Sequence, residues 1–288
     1  MALNKSGNVQ NFIGCDASYE DAKVVIFGAP FDSTTSNKPG ARFGPYAVRA
    51  ESHGLETYSP YQDLDLEEAQ IYDAGEPELP FGRPQPALDM IEAAVAQILA
   101  DDKIPLMIGG EHLVTLGAIR AAVKKYPDLR IIHLDAHTDL RDEFLGESLS
   151  HATVMRRCHD ILGDGRIFQF GIRSGTREEF KWAEKGHTHL QKFNLDGLAE
   201  AVAALGDAPV YFTLDLDVLD PAEFPGTGTP EAGGIHFKDL LEAIACLKRL
   251  NIVGCDVVEL APNLDTSGIS TAMACKVIRE LLLAIGRF

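Results

Sequence analysis

Short apolar runs rich in β-branched residues recur along the chain, and each is followed by a stretch whose apolar positions return with helical spacing. That alternation is the pattern of βαβ units around a parallel sheet, whose strands are covered by helices on both faces and so have no polar side. The runs predict strands at 23–28, 104–108, 130–134, 166–171, 210–214 and 252–260. Helices are predicted over 86–100, 113–125, 151–162, 237–250 and 271–285, the fourth opening after a Gly-Gly break and ending near Asn251. The fold class is α/β. With no internal repeat, low-complexity tract or linker, a single domain over 1–288 is expected. Three stretches rich in Gly and Pro, 30–45, 73–86 and 221–234, are long for plain connections and are expected to wall a binding site.

Charge narrows the partners. There are 43 acidic residues against 26 basic ones, a formal net charge of −17, so nucleic acid and anionic membrane are not expected partners. No apolar stretch reaches the roughly 18 to 20 residues of a membrane helix, and the first residues lack a secretory pattern, so a cytoplasmic location is expected. Cys15, Cys158, Cys246, Cys255 and Cys275 are odd in number and form no C-x-x-C pair, and are read as reduced thiols.

The chemistry gathers where apolar runs end. Asp135-Ala-His137-Thr-Asp139 follows the run at 130–134, and an extended chain with a period of two turns all three ligand-type side chains to one side. Asp215-Leu-Asp217 closes the run at 210–214 in the same way, and Gly109-Gly-Glu-His112 follows the run at 104–108. The two glycines are expected to permit a sharp strand-to-helix turn that aims His112 into the crevice. Ligands of open parallel sheets bind outside the carboxyl ends of the strands, where all three clusters fall. A lone D-x-D is often a turn or a cap, but carboxylates at buried strand ends are costly unless a positive charge sits among them. The set His112, Asp135, His137, Asp139, Asp215 and Asp217 is oxygen-rich and too large for one tetrahedral Zn²⁺, and points to two Mn²⁺. A water between two such ions ionises near neutral pH, which makes metal-assisted hydrolysis the expected reaction. His133, offset by one position inside its strand, reads as a packed core histidine, and His53, His159, His187, His189 and His236 show no partner pattern.

These motifs, together with Ser150-His-Ala-Thr153, Asp215-Leu-Asp-Val-Leu-Asp-Pro221, the stretch 225–234, the loop 38–45 and Phe170-Gly-Ile-Arg-Ser174, resemble the ureohydrolases, the family of arginase, agmatinase and relatives, and within it the agmatinase-type members. The resemblance covers nearly the whole chain. It implies a three-layer α/β/α fold with a mainly parallel eight-stranded sheet, two Mn²⁺ per chain and a homotrimer or homohexamer. It also implies hydrolysis of a small cationic guanidino substrate, agmatine, to putrescine and urea, a step of polyamine synthesis. By the same resemblance one ion is held by His112, Asp135, Asp139 and Asp215, the other by His137, Asp135, Asp215 and Asp217. His151 corresponds to a proton shuttle, Asp139 assists proton transfer, and Glu259 corresponds to the acid that pairs with the guanidinium. Glu259 ends an apolar run, where a carboxylate can take two parallel N–H bonds, and His151 is expected as an exposed imidazole near its ordinary pKa. The loop 140–150 carries Asp142, Glu143 and Glu147 against the single cation Arg141, and these acids are expected to repel the carboxylate of arginine and favour agmatine. The alternatives are another guanidino hydrolase, arginase or guanidinobutyrase, and a silent metal-binding scaffold. A dinucleotide enzyme is disfavoured because no G-x-G-x-x-G follows the first strand.

Overall fold

In the computed structural model, which describes residues 10–286, the strands in chain order are β1 (Val24–Ala29), β2 (Tyr58–Ser59), β3 (Leu64–Asp65), β4 (Ile71–Asp73), β5 (Ile104–Gly109), β6 (Arg130–Leu134), β7 (Ile167–Ile172), β8 (His189–Lys192), β9 (Pro209–Asp215) and β10 (Asn251–Val258). Residues 1–9 of the opening stretch that lacks a secretory pattern lie outside the described residues. β2 and β3 form a small antiparallel hairpin, and the other eight make one sheet in the order β4-β1-β5-β10-β9-β6-β7-β8. Every neighbouring pair in that sheet is parallel. The helices are α1 (Gly44–Ser52), α2 (Pro84–Ala100), α3 (Thr115–Lys125), α4 (Val154–Leu162), α5 (Arg177–Trp182), α6 (Leu198–Leu205), α7 (Phe237–Leu247) and α8 (Ile269–Ile285).

The period of two along each strand sorts the core into two slabs. On β1, Val24 and Ile26 pack with Val48 of α1, Val202 of α6, Ile244 of α7 and Ile278 of α8. Val25 and Phe27, one residue out of step, pack on the other side with Ile91 of α2, Ile119 of α3 and Cys158 of α4. The result is the expected three layers, helices over both faces of one buried sheet. Among the described residues no helix is long and apolar enough to cross a membrane, and the five cysteines are free thiols.

The elements the periodicity did not predict are short or sit at the sheet's edges. β4 and β8, the two edge strands, have three and four residues and no apolar run. α1 opens on Gly44-Pro45, which looks like a loop in sequence, although Pro at the first helical positions is pre-set for a helix. Of the three Gly/Pro-rich stretches, 30–45 and 221–234 do border the site described below. The stretch 73–86 instead supplies Asp73 and Glu76, which hold the buried Arg49 guanidinium of α1 at 2.8 Å and 2.6 Å.

The glycines at the end of β5 serve close approach, and neither takes a positive φ. A Cβ on Gly110 would lie 2.0 Å from the Phe31 carbonyl oxygen, and one on Gly109 would lie 2.5 Å from Val258 Cγ1. Backbone cannot retreat as a side-chain tip can. We therefore predict that Gly110→Ala destabilises the fold by about 1–3 kcal/mol, read as a lower denaturant midpoint in equilibrium unfolding.

Candidate metal centre

The strands that carry the motifs are neighbours: β5, β10, β9 and β6 lie side by side, and each ends in a ligand-type side chain. β5 leads into His112 on a 3₁₀ turn, His112–Val114, ahead of α3. β6 leads into Asp135, His137 and Asp139, β9 into Asp215 and Asp217, and β10 into Glu259. His112 Nδ1 lies 3.0 Å from Asp135 Oδ2, 3.3 Å from Asp139 Oδ2 and 3.2 Å from Asp215 Oδ2. His137 Nδ1 lies 3.0 Å from Asp217 Oδ2 and 3.5 Å from Asp135 Oδ1. All six side chains of the predicted metal set thus converge in two adjoining groups, with Asp135 common to both. Asp139 enters with a φ of 51°, a left-handed conformation that an aspartate tolerates better than most residues.

A layer of buried hydrogen bonds behind these groups fixes which atoms face inward, and periodicity alone gave no sign of it. Thr213 donates its hydroxyl proton to Asp256 Oδ1 at 2.6 Å and accepts from His112 Nε2–H at 3.0 Å. His112 Nδ1 is left buried, with no hydrogen-bond partner, and turned toward three carboxylates. A lone pair aimed at carboxylate lone pairs is repulsive unless a proton or a metal ion stands between them. His133, read from sequence as a core histidine, is fully buried and sits behind Asp135. The Gln169 amide donates to the Thr138 carbonyl at 2.8 Å and to His133 Nδ1 at 3.1 Å, while Gln169 Oε1 accepts from Thr188. His133 therefore carries its proton on Nε2 and donates it to Asp135 Oδ2 at 2.7 Å, so it orients a ligand and is not one.

The electrostatics of the cluster are lopsided. Burial and then the Asp135 charge push Asp139 well above the usual carboxylate range, and burial and then the Asp217 charge do the same to Asp215. For His112 burial favours the neutral ring, yet the Asp135 and Asp215 carboxylates facing it carry it well above its ordinary value. For His137 burial likewise opposes charge and Asp217 outweighs it. Asp135 moves down, because His133, His112 and His137 outweigh its burial. Acids and imidazoles that both hold on to protons mark an excess of negative potential, and the donor set fits divalent cations.

The remaining predicted residues are distributed differently. Glu259 is buried, has a φ of 65°, and accepts the His112 backbone N–H on Oε1 at 2.7 Å. Burial, reinforced by the Glu111 charge, pushes it up to about 8. A cavity of about 280 Å³ opens over His137 and Asp139 and is walled by Ser36, Arg141, Phe144, His151, Glu179 and Thr229. His151 faces this cavity but is half-buried, not exposed as expected, and burial lowers it to about 4. Its Nε2 lies 3.3 Å from Ser36 Oγ, and its backbone N–H donates to Thr34 Oγ1, whose own proton goes to Glu111. The loop acids do not face inward as the sequence suggested. Asp142 is drawn away by Arg157 at 2.7 Å, Glu143 and Glu147 are exposed, and the loop gives the cavity wall Arg141 and Phe144. Two arginines behind the loop compete for Asp142, and no sequence period announced them.

A model of the arginase family matches residues 22–284. The chain belongs to the arginase family. Arginase-family members are metal-dependent hydrolases of guanidino compounds, and the chain is an enzyme of that class. It is 52% identical to the agmatinase of Bacillus cereus over 98% of this chain and 99% of that protein. It is 34% identical to the guanidinobutyrase of Pseudomonas aeruginosa over 93% of this chain and 88% of that protein. A crystal structure from Clostridium difficile, provisionally described as an agmatinase, superposes with a TM-score of 0.92 at 51% identity, covering 93% of this chain and 99% of that one.

Two predictions follow from the family's metal dependence and this geometry. Because folded Asp139, Asp215, His112 and His137 hold protons that the unfolded chain releases, protein stripped of metal loses stability as pH rises from the acid range. Metal binding displaces those protons and strengthens with pH, so the rise in Tm on adding Mn²⁺ should be larger at about pH 8 than at about pH 6 by scanning calorimetry. His133→Ala should weaken Mn²⁺ binding by about 10- to 100-fold in a chelator competition, because Asp135 loses the donor that orients it.

Proposed function

We propose that the chain is an agmatinase, a single ureohydrolase domain that hydrolyses agmatine to putrescine and urea. The observation that carries the reading is the six-ligand cluster at the ends of neighbouring strands, in a chain 52% identical to a protein named for that activity. His112, Asp135, Asp139 and Asp215 would hold one Mn²⁺, and His137, Asp135, Asp215 and Asp217 the other. When bound, two such ions lower the pKa of water enough to make it a nucleophile at neutral pH.

The chain's own residues supply the rest. Glu259 beside His112 binds the guanidinium, and a planar cation that brings its own N–H donors lowers the cost of the buried carboxylate and favours its charged form. Asp139 accepts a proton at the metal side of the cavity. His151, kept neutral by burial and next to the Ser36 hydroxyl, passes a proton toward the departing amine. On this reading the product feeds polyamine synthesis and the chain works in the cytoplasm as a trimer or hexamer.

Arg141 favours a second reading. Its guanidinium stacks 4.6 Å over the Phe144 ring in the cavity wall, where it could receive the carboxylate of a guanidino acid such as 4-guanidinobutyrate. Glu179, 3.7 Å from Arg141 Nε, offsets that charge and favours the cationic substrate.

Urea release by the Mn²⁺-loaded enzyme across agmatine, arginine and 4-guanidinobutyrate tests the choice. Agmatine should lead in kcat/KM by at least about 100-fold, or roughly 2.7 kcal/mol. A lead for 4-guanidinobutyrate that Arg141→Ala abolishes would move the assignment to the guanidino acids. Glu259→Gln should retain its metal while turnover falls by about 100-fold or more, and loss of metal in that variant would contradict the role given to Glu259.

A further inference from the structure

Away from the strand ends, the fold gathers a second set of ligand-type side chains, two of them histidines that showed no partner in the sequence. His159 lies on α4, His187 ends the π-turn Ala183–His187 after α5, and both reach Asp164 in the loop before β7. His159 Nε2 stands 2.8 Å and His187 Nδ1 2.6 Å from the same oxygen, Asp164 Oδ1. The backbone holds this arrangement. Gly163 N–H donates to the His159 carbonyl at 2.7 Å and Gly165 N–H to the His187 carbonyl at 3.1 Å, both glycines at positive φ, so the Asp164 loop is pinned to each histidine. The rings are held too: Trp182 stacks on His187 at 4.4 Å and meets His159 edge-on at 4.6 Å, and the Arg156 guanidinium lies 4.3 Å from the Trp182 ring.

We propose that His159, Asp164 and His187 form a separate surface site for one zinc-class divalent ion. Two imidazoles and one carboxylate are a borderline donor set that suits Zn²⁺ with water in the fourth position, whereas the strand-end set is oxygen-rich. The three ligand atoms lie within 4.8 Å of one another. Ligands around a tetrahedral Zn²⁺ sit about 3.3 Å apart, so each nitrogen must draw back from Asp164 Oδ1 by about 0.5 to 0.7 Å. The Asp164 side chain is 66% exposed and can swing by that much without disturbing the core. His159 Nδ1, buried with no hydrogen-bond partner, takes the ring proton when Nε2 turns its lone pair to the ion. The bound ion joins α4, which follows the His151 turn, to the α5 segment, whose Glu179 binds Thr138 and Leu140 on either side of Asp139.

The test counts metals. Mn²⁺-loaded wild type, Asp164→Asn, His187→Ala and Asp217→Ala are equilibrated with micromolar Zn²⁺, desalted and analysed by plasma mass spectrometry. Asp164→Asn keeps the size and most of the hydrogen bonding of the loop, so folding is preserved. Wild type should carry one more zinc per chain than Asp164→Asn or His187→Ala, and both variants should keep wild-type urea release. Asp217→Ala should lose metal from the strand-end centre yet retain this zinc. Exchange of zinc into the strand-end centre would affect wild type and Asp164→Asn alike and cancel in the difference. Equal zinc in those two proteins overturns the proposal and leaves a hydrogen-bonded His–Asp–His cluster. An intact zinc difference without urea release would instead count against the function proposed above.

Discussion

A buried carboxylate must have a positive charge or several donors beside it, and this fold sets four aspartates at the ends of two strands in the middle of a sheet. Burial alone would make each of them expensive to ionise, and their mutual repulsion adds to that cost. Asp139 and Asp215 hold their protons for this reason, and His112 and His137 hold theirs in answer to the acids around them. Divalent cations remove the conflict in one step. The rest of the architecture follows from the need to bring these side chains together and to keep them aimed.

Strand order accomplishes the first task. β10 and β9 lie between β5 and β6, so segments far apart in sequence end on one edge within hydrogen-bonding range. The second task falls to buried groups behind the ligands. Thr213 and Asp256 fix the proton of His112, while Gln169 and Thr188 fix that of His133, which in turn holds Asp135. Each ring has one nitrogen committed inside the protein, which determines what the other can do. Metal affinity therefore depends on residues that never touch the ion.

The parts of this that were legible in the sequence share one property: they are local. Asp135, His137 and Asp139 announce themselves because a strand's period of two can be read directly, and the six predicted strands reappear with ends shifted by at most two residues. His133 was correctly put in the core, but its bond to Asp135 depends on Gln169 of the neighbouring strand, 36 residues away. The acids of the 140–150 loop illustrate the opposite failure. Their charge was plain, yet where Asp142 points is decided by Arg156 and Arg157 on α4, a tertiary fact. His159 and His187 looked unpaired for the same reason: Asp164, 5 and 23 residues away, becomes their common partner only once the loop is folded.

On the proposed reading the strand-end cluster would hold two cations that share Asp135 and Asp215. Anomalous diffraction at the manganese edge, from crystals grown with Mn²⁺, examines it without recourse to activity. The account predicts two peaks per chain, one beside His112 Nδ1 and one beside His137 Nδ1, with His133 outside the coordination sphere of both. A single peak per chain, or an ion bound by His133, would contradict it.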